Sequence, residues 1–315
     1  MTCYSTVAVA SKAARITTIW AFAAVALVFA ATAARGAERV LDRTFTVAPD
    51  GLLTVKANGA SLDVVGSDAN QVVVHMTVTA SKADLEALEL TAEQTAGGVE
   101  VKMLRAGRKG WFNWGSSNRD ARIEVKVPRS YRVEMTTSGG DIHVKSIAGP
   151  SRANTSGGDL RATQVGGDFT GHTSGGDVRL ETISGKVNVR TSGGDVQARS
   201  VQGDVDASTS GGSVELVQVS GKMSARTSGG EVRCDLVGPN RGIFASTSGG
   251  SVRLTLPQGT AATLDAATGG GQVRSDFPVE AANRSKNHLS GLINGGGEEI
   301  HARTSGGDIT LDVSR

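Results

Sequence analysis

The tetrapeptide Thr-Ser-Gly-Gly recurs in the second half of the chain and constrains the fold more than any other feature. Its eight copies begin at Thr137, Thr155, Thr173, Thr191, Thr209, Thr227, Thr247 and Thr304. The first six copies lie 18 residues apart, and the runs between them alternate apolar and polar side chains. A fixed period with strand-like alternation is typical of a coil-by-coil β architecture. The sequence therefore predicts an all-β protein, a parallel β-solenoid of about nine coils that we expect to be right-handed.

The position of a residue within each coil predicts whether its side chain enters the core. Counted from the threonine, apolar residues recur at positions 6, 8, 11, 15 and 17; in one coil these are Val178, Leu180, Ile183, Val187 and Val189. The residues between them are mostly charged or polar, as a solvated strand face requires. The threonine has the parity of positions 15 and 17, so we expect it to line the core edge. We expect the glycine pairs to form corners with positive φ.

The first 37 residues are typical of a secretory leader. Lys12 and Arg15 precede an apolar run over residues 16–34, and small residues follow. Cleavage could follow Ala33 or Ala37. The alternative is an uncleaved membrane anchor, because an apolar run of this length nearly spans a bilayer. Either alternative places the repeats outside the cytoplasm, in the periplasm, in the cell envelope or in the medium.

Charge and cysteine content exclude several classes of protein. Residues 1–37 hold three of the 33 basic residues and none of the 31 acidic ones, so 30 basic residues remain without the leader. This balance gives no indication of a nucleic-acid partner. Cys234 is then the only cysteine, so no internal disulfide is expected, and its place in an alternating run predicts burial.

The chain divides after the leader into two regions. Residues 38–135 contain strand-like runs without the repeat and are expected to form an irregular N-terminal β region that caps the solenoid. Residues 136–315 hold the repeat, which loosens after Thr247 and leaves a 36-residue interval between Thr268 and Thr304. The last strand, Ile309 to Val313, is expected to be an open sheet edge through which the protein could self-associate.

Patterns for metal binding and catalysis are weak. Most glycine pairs are followed by an acidic residue, and the aspartates are Asp141, Asp159, Asp177, Asp195 and Asp308. Calcium-binding β-rolls need a nine-residue Gly-Gly-x-Gly-x-Asp pattern, which this sequence lacks. The histidines show no metal-ligand spacing, and there is no Gly-x-Ser-x-Gly motif. We therefore interpret the aspartates as a solvated charged face and predict no metal, no cofactor and no enzymatic activity.

A segment rich in aromatic and basic residues interrupts the N-terminal region. It runs from Arg105 to Arg119 and contains the candidate partner-binding residues Arg108, Lys109, Trp111, Phe112 and Trp114. Aromatic side chains beside arginine and lysine could contact a glycan, a lipid headgroup or a protein. Alternatively, the aromatic residues form a hydrophobic lid over one end of the solenoid.

Several motifs together resemble a known family. They are the run Ile123-Glu-Val-Lys-Val-Pro, the repeated Thr-Ser-Gly-Gly-Asp-Val and the closing Asn294-Gly-Gly-Gly. These motifs resemble the bacterial putative-adhesin family of β-strand-repeat proteins, a domain of unknown function, over about residues 40–315. The resemblance implies a parallel β-solenoid in an exported or envelope protein, and it carries over no functional residue.

The predicted function is that of a non-catalytic envelope or secreted interaction scaffold whose partner is a surface, a glycan or a protein. The alternative is a carbohydrate-binding or lyase-like β-helix protein, since polysaccharide lyases use parallel β-helices.

Overall fold

The computed structural model describes residues 37–105 and 120–314. These residues form two long sheets and one short helix, α1 (Lys82–Glu86), which lies between the fourth and fifth strands. The strands in chain order are β1 (Ala37–Thr46), β2 (Leu52–Ala57), β3 (Ser61–Ser67), β4 (Gln71–Ala80), β5 (Leu88–Thr95), β6 (Gly98–Arg105), β7 (Asp120–Pro128), β8 (Arg132–Thr137), β9 (Ile142–Ile147), β10 (Ser151–Asn154), β11 (Leu160–Val165), β12 (Phe169–His172), β13 (Val178–Ile183), β14 (Val187–Arg190), β15 (Val196–Val201), β16 (Val205–Ser208), β17 (Val214–Val219), β18 (Met223–Arg226), β19 (Val232–Leu236), β20 (Ile243–Ser246), β21 (Val252–Leu256), β22 (Ala262–Thr268), β23 (Val273–Ser275), β24 (Val279–Arg284), β25 (His288–Ile293), β26 (Glu299–Thr304) and β27 (Ile309–Val313).

The two sheets face each other along the whole stack of coils. Sheet A has the strand order β1-β4-β7-β3-β9-β11-β13-β15-β17-β19-β21-β27-β23, and sheet B has the order β24-β25-β22-β26-β20-β18-β16-β14-β12-β10-β8-β2-β6-β5. From β8 to β21 the chain alternates between the sheets, and each strand pairs in parallel with its counterpart in the next coil. This arrangement confirms the predicted all-β parallel β-solenoid.

The core lies between the sheets and uses the predicted positions. Val178, Leu180, Ile183, Val187 and Val189 are all buried, and the equivalent apolar residues of the other coils are buried with them. Each fully buried side chain of this size contributes about 1.5–3 kcal/mol. A single coil has few such residues, so its stability depends on the neighbouring coils.

The glycine pairs are explained by close contact between coils, and not by the positive φ that was predicted. No glycine of a Thr-Ser-Gly-Gly motif has positive φ. Instead, the coils approach so closely that a Cβ on Gly176 would lie 2.2 Å from the carbonyl oxygen of Gly158 in the preceding coil. The second glycine of the pair is therefore required by the contact between coils. The prediction of positive φ at these corners was wrong.

Positive φ occurs at position 10 of the regular coils, where the residue is not glycine. The five residues there are Ser146, Gln164, Thr182, Ser200 and Gln218, with φ between 56° and 58°. This residue shifts the inward parity from even positions to odd ones, so that both position 8 and position 11 face the core. Left-handed backbone costs a non-glycine residue about 1 kcal/mol. Stacked side chains partly offset that cost, since the Ser146 hydroxyl donates to Gln164 Oε1 at 3.0 Å.

The repeated threonine joins adjacent coils. Thr191 is buried as predicted, and its Oγ1 donates to the carbonyl oxygen of Gly176 in the preceding coil at 2.9 Å. The same oxygen accepts the N–H of Gly194 in its own coil at 3.4 Å. The same donated bond to a neighbouring coil is made by Thr268, which begins the variant Thr-Gly-Gly-Gly, and by the other threonines that begin the tetrapeptide: Thr137, Thr155, Thr173, Thr209, Thr227, Thr247 and Thr304.

Both ends of the solenoid depart from sequential stacking. At the N-terminal end, β2 and β3 form a coil that lies between the β6–β7 coil and the β8–β9 coil. At the C-terminal end, β26 and β27 form a coil between β20–β21 and β22–β23. Antiparallel strands then cover the terminal coils: β1, β4 and β5 at one end, β24 and β25 at the other.

The expected open edge at Ile309 to Val313 is not present. This strand is β27, and it pairs with β21 on one side and with β23 on the other. The edge strand of sheet A at this end is β23, which has only three residues. The prediction was wrong because the last strand of the sequence is inserted into the sheet instead of being added at its end. The predicted self-association through Ile309–Val313 would need an open edge, and this strand has none.

Candidate functional site

The aspartates that follow the glycine pairs are part of the scaffold. Asp177 Oδ1 accepts the backbone N–H of Asp195 in the next coil at 2.9 Å, and Asp159 Oδ1 accepts that of Asp177 at 2.8 Å. Arg179 donates to both Asp159 and Asp177. The carboxylates of this ladder thus bind backbone and arginine. Within residues 37–105 and 120–314, no group of three or more His, Cys, Asp or Glu side chains is suited to hold a metal ion.

A different set of polar side chains gathers on the outer face of sheet B near its C-terminal end. Neighbouring strands β18, β20, β26, β22 and β25 each contribute one or more outward residues. We call these residues the C-terminal cluster, and its members are Arg226, Phe244, Asp265, His288, His301 and Arg303. None of them belongs to the tetrapeptide repeat.

Asp265 on β22 is the centre of the C-terminal cluster. His288 Nε2 lies 3.0 Å from Asp265 Oδ1, His301 Nδ1 lies 3.6 Å from Oδ2, and the Arg303 guanidinium donates to Oδ2. Arg303 is the main reason that the pKa of the Asp265 carboxyl is lowered, and the His288 hydrogen bond lowers it further against the effect of partial burial. Asp265 is therefore an ionised acceptor that is hydrogen-bonded to Arg303 and His288, with His301 nearby. It is poorly suited to take up a proton at neutral pH.

His288 connects the hairpin of β24 and β25 to Asp265. Its Nδ1 lies 3.1 Å from the side-chain amide of Asn283 on β24, and its Nε2 lies 3.0 Å from Asp265 Oδ1. This chain of contacts fixes the β24–β25 hairpin against β22.

An aromatic stack extends the C-terminal cluster along sheet B. The rings of Phe244 and His301 are stacked with centroids 5.1 Å apart, and the Arg226 guanidinium lies 4.6 Å from the Phe244 centroid. Arg226 also donates to Asp206 at 3.1 Å. A cation and an aromatic ring in this geometry attract each other. Phe244 is thus in contact with both neighbours, and its ring is not an open platform for a sugar.

A shallow groove of about 670 Å³ lies beside Asp265 on the same face. It is bordered by β22, β24 and β25, and we call it the hairpin groove. The outward residues that line it are Thr263, Asp265, Glu280, Ala282, Ser290 and Leu292. Leu292 is 38% exposed, which makes it one of four large hydrophobic side chains that are exposed among the described residues.

The turn after β25 holds the hairpin groove in place. Asn294 has φ of 48°, and its side-chain amide donates to the carbonyl oxygens of Gln258 and Thr260 at 3.1 Å and 2.9 Å. Gly295 and Gly296 follow with positive φ. The motif Asn294-Gly-Gly-Gly therefore forms the turn that returns the chain from β25 to the inserted strand β26.

The candidate residues of the sequence fall outside the described residues. Arg108, Lys109, Trp111, Phe112 and Trp114 lie in the segment 106–119, and residues 1–36 of the predicted leader are likewise not described. The described residues on either side of the segment are Arg105, which forms an ion pair with Asp84 at 3.1 Å, and Asp120, the first residue of β7. The role of the segment 106–119 as a partner-binding loop stays a prediction.

Cys234 is fully buried as predicted, and burial raises the pKa of its thiol to about 12. A thiol with this pKa stays protonated and unreactive at neutral pH.

In the part of the chain that the structure describes, no helix has the length and hydropathy needed to cross a bilayer.

The sequence did not reveal the C-terminal cluster or the hairpin groove. Asp265 and His301 are 36 residues apart, and they face each other only because β26 is inserted beside β22. The available signal was the 36-residue interval itself, which marks the place where the regular pattern ends.

Three solved bacterial structures are similar to this chain over most of its length, at low sequence identity. A "putative adhesin" from Bacteroides fragilis is 13% identical, with 87% of this chain and 97% of that chain covered and a TM-score of 0.40. A "putative cell adhesion protein" from Clostridium sporogenes is 12% identical, with 87% and 99% covered and a TM-score of 0.25. A "putative lipid binding protein" from Parabacteroides distasonis is 12% identical, with 88% and 97% covered and a TM-score of 0.29. Similarity at this level says nothing about what the chain binds.

Family membership rests on a stronger match. No curated protein matches the sequence. The family model described as Toastrack DUF4097 matches residues 52–312, which include every coil of both sheets and most of the antiparallel strands. This match confirms the resemblance to β-strand-repeat proteins of unknown function, and the chain belongs to the Toastrack DUF4097 family.

Proposed function

We propose that the protein is a non-catalytic, adhesin-like interaction protein that is exported or held at the cell envelope. The leader pattern in residues 1–37 supports export. Its partner is a surface, a glycan or a protein, and it binds on the outer face of sheet B at the C-terminal end. The repeats form the stiff body that holds this face.

One observation supports this proposal above all others. In the regular coils, the repeated threonines and aspartates are used in hydrogen bonds between coils. At the C-terminal end, by contrast, the hairpin groove combines an exposed leucine with carboxylates and an adjacent cluster of arginine and histidine. An open groove with apolar and charged residues is typical of a binding surface.

The experiment compares two exposed hydrophobic residues. Purified protein is incubated with washed envelope fractions, and the bound fraction is measured for wild type, Leu292→Glu and the control Val237→Glu. Val237 is 49% exposed and lies outside the hairpin groove. We expect Leu292→Glu to reduce adsorption and Val237→Glu to leave it unchanged. Equal adsorption by all three proteins would contradict the proposal.

A carbohydrate-binding or lyase-like activity is the second candidate. The observation in its favour is that Thr263, Ser290 and Glu280 line the hairpin groove, because hydroxyl and carboxylate groups can form hydrogen bonds with sugar hydroxyls. A glycan array and a lyase assay on polyuronates separate the two functions. Turnover of a polyuronate would refute the non-catalytic proposal, and saccharide binding without turnover would name the partner as a glycan.

A further inference from the structure

We infer that the hairpin groove binds the tryptophan-bearing segment, residues 106–119, of a second copy of this chain. This inference rests on the proposed function, because it names the partner of the same groove. It joins two features that the fold leaves at opposite ends of the molecule.

The hairpin groove carries unpaired negative charge. Glu280 lines it, and Glu299 on β26 lies opposite Thr263, another lining residue. Both glutamates are exposed, and the ion pairs beside the groove are all formed by Asp265, with His288, His301 and Arg303. Among the described residues, Glu280 and Glu299 therefore have no cationic partner. The groove floor between them is apolar, with Leu292 partly exposed.

The segment 106–119 has the complementary composition. It contains Arg108, Lys109 and Arg119 and no acidic residue, together with Trp111, Phe112 and Trp114. Tryptophan and arginine are the residues that most often dominate the free energy of protein interfaces. A groove of about 670 Å³ is large enough to take up a few such side chains.

The geometry excludes binding within one molecule. The segment connects β6 to β7, and ten successive strand pairings in sheet B separate β6 from β22. At about 4.8 Å for each pairing, the distance is roughly 48 Å. Trp111 is six residues from Arg105, and Trp114 is six residues from Asp120, so an extended chain carries either one at most about 21 Å from its anchor. The segment can reach the hairpin groove of another copy only.

The first test measures the mass of the purified exported protein by sedimentation velocity from about 1 to 300 µM. We expect the average mass to rise with concentration. Leu292→Glu should weaken this association at least tenfold, as expected when a charge replaces an interface hydrophobic residue. Val237→Glu is the matched control and should associate like wild type. A protein that stays monomeric over the whole range would overturn the inference.

The second test mixes two variants that each lose a different half of the contact. Leu292→Glu keeps an intact segment, and the double variant Trp111→Ala/Trp114→Ala keeps an intact groove. We expect neither variant to associate alone and the mixture to form a 1:1 complex. Absence of that complex would overturn the inference, since a contact between two segments or two grooves predicts no rescue.

Thermal unfolding of the double tryptophan variant distinguishes the lid. If the aromatic residues cover their own solenoid end, the variant loses stability, wild type stays monomeric, and the inference is wrong. If the double variant does not fold, the pair Arg108→Glu/Lys109→Glu replaces it and is mixed with Glu280→Lys/Glu299→Lys. Restored association in this charge-swapped mixture supports the inference, and its absence overturns it.

The two proposals fail differently. If Leu292→Glu reduces adsorption to envelope fractions while the wild type is a strict monomer, the hairpin groove binds some other partner and only the inference fails. If wild type associates but adsorbs no better than either variant, the segment binds the groove while the envelope proposal fails.

Discussion

The regular coils and the C-terminal end belong to the same two sheets, but their polar side chains form hydrogen bonds with different partners. In the regular coils, each threonine and most aspartates bond to the neighbouring coil at a fixed spacing. At the C-terminal end, the inserted coil and the antiparallel hairpin break that spacing. Asp265 instead binds Arg303 and His288 on the surface, with His301 nearby. Regularity thus stabilises the scaffold, and its interruption creates the surface that is chemically distinct.

The largest effect is expected from the glycine pair of a regular coil. In Gly176→Ala the new Cβ would lie 2.2 Å from the carbonyl oxygen of Gly158, and backbone cannot move aside without separating the coils. We expect a loss of about 3 kcal/mol in the free energy of unfolding, measured with urea. The adjacent control is Gly175→Ala, whose Cβ would lie 3.5 Å from its nearest neighbour and should cost less than about 1 kcal/mol. Equal losses would show that close coil contact is not the reason for the second glycine.

The threonine should give the next largest effect. Thr191→Val keeps the shape of the side chain but removes the hydrogen bond to Gly176 and the acceptor for Gly194. We expect a loss of about 1–2 kcal/mol in the free energy of unfolding. Thr191→Ser, which keeps the hydroxyl, should recover part of it. If valine proves neutral, the threonine is present for packing alone.

The contribution of the C-terminal cluster to the free energy of unfolding should depend on pH. Because the pKa of Asp265 is lowered in the folded protein, its contribution to stability is present above the ordinary pKa of an aspartate and is lost as pH falls through the lowered value. Asp265→Asn should therefore destabilise the protein at neutral pH by about 1 kcal/mol, a modest figure because the site is partly exposed. The difference from wild type should shrink in acid. Thermal unfolding at a series of pH values measures it, and a pH-independent difference would contradict the cluster.

The smallest effect is expected in the aspartate ladder. Asp177→Asn keeps a side-chain oxygen that can accept the N–H of Asp195, so stability at neutral pH should change by less than about 0.5 kcal/mol. Asp177→Ala removes that acceptor and should cost more, about 1 kcal/mol. A large loss in the asparagine variant would mean that the charge, and not the acceptor, is what the ladder requires.

The core was predictable because a period of two fixes which side chains point inward. Val178 and Leu180, or Val187 and Val189, could be assigned from alternation alone. The purpose of the glycines was not predictable, because close approach between coils and positive φ both select glycine and only coordinates separate them. Gln164 and Thr182 illustrate the same limit, since nothing in their chemistry indicates left-handed backbone.

The candidate site was not predictable for a topological reason. The position of β26 between β20 and β22 reverses the order in which two coils occur in the sequence. If the coils were stacked in their sequence order, His301 would lie away from Asp265. Ile309 would then lie on an open edge. The interval before Thr304 indicates that something departs from the repeat, but it does not say which coil moves.

The central claim is that the interrupted end, and not the regular face, is the surface that binds. A photo-crosslinking amino acid placed at Leu292, or at the exposed Asn188 on β14 of the same sheet, tests it in the presence of envelope fractions. We predict covalent adducts from position 292 and none above background from position 188. Equal adducts from both positions, or adducts from position 188 alone, would contradict the account.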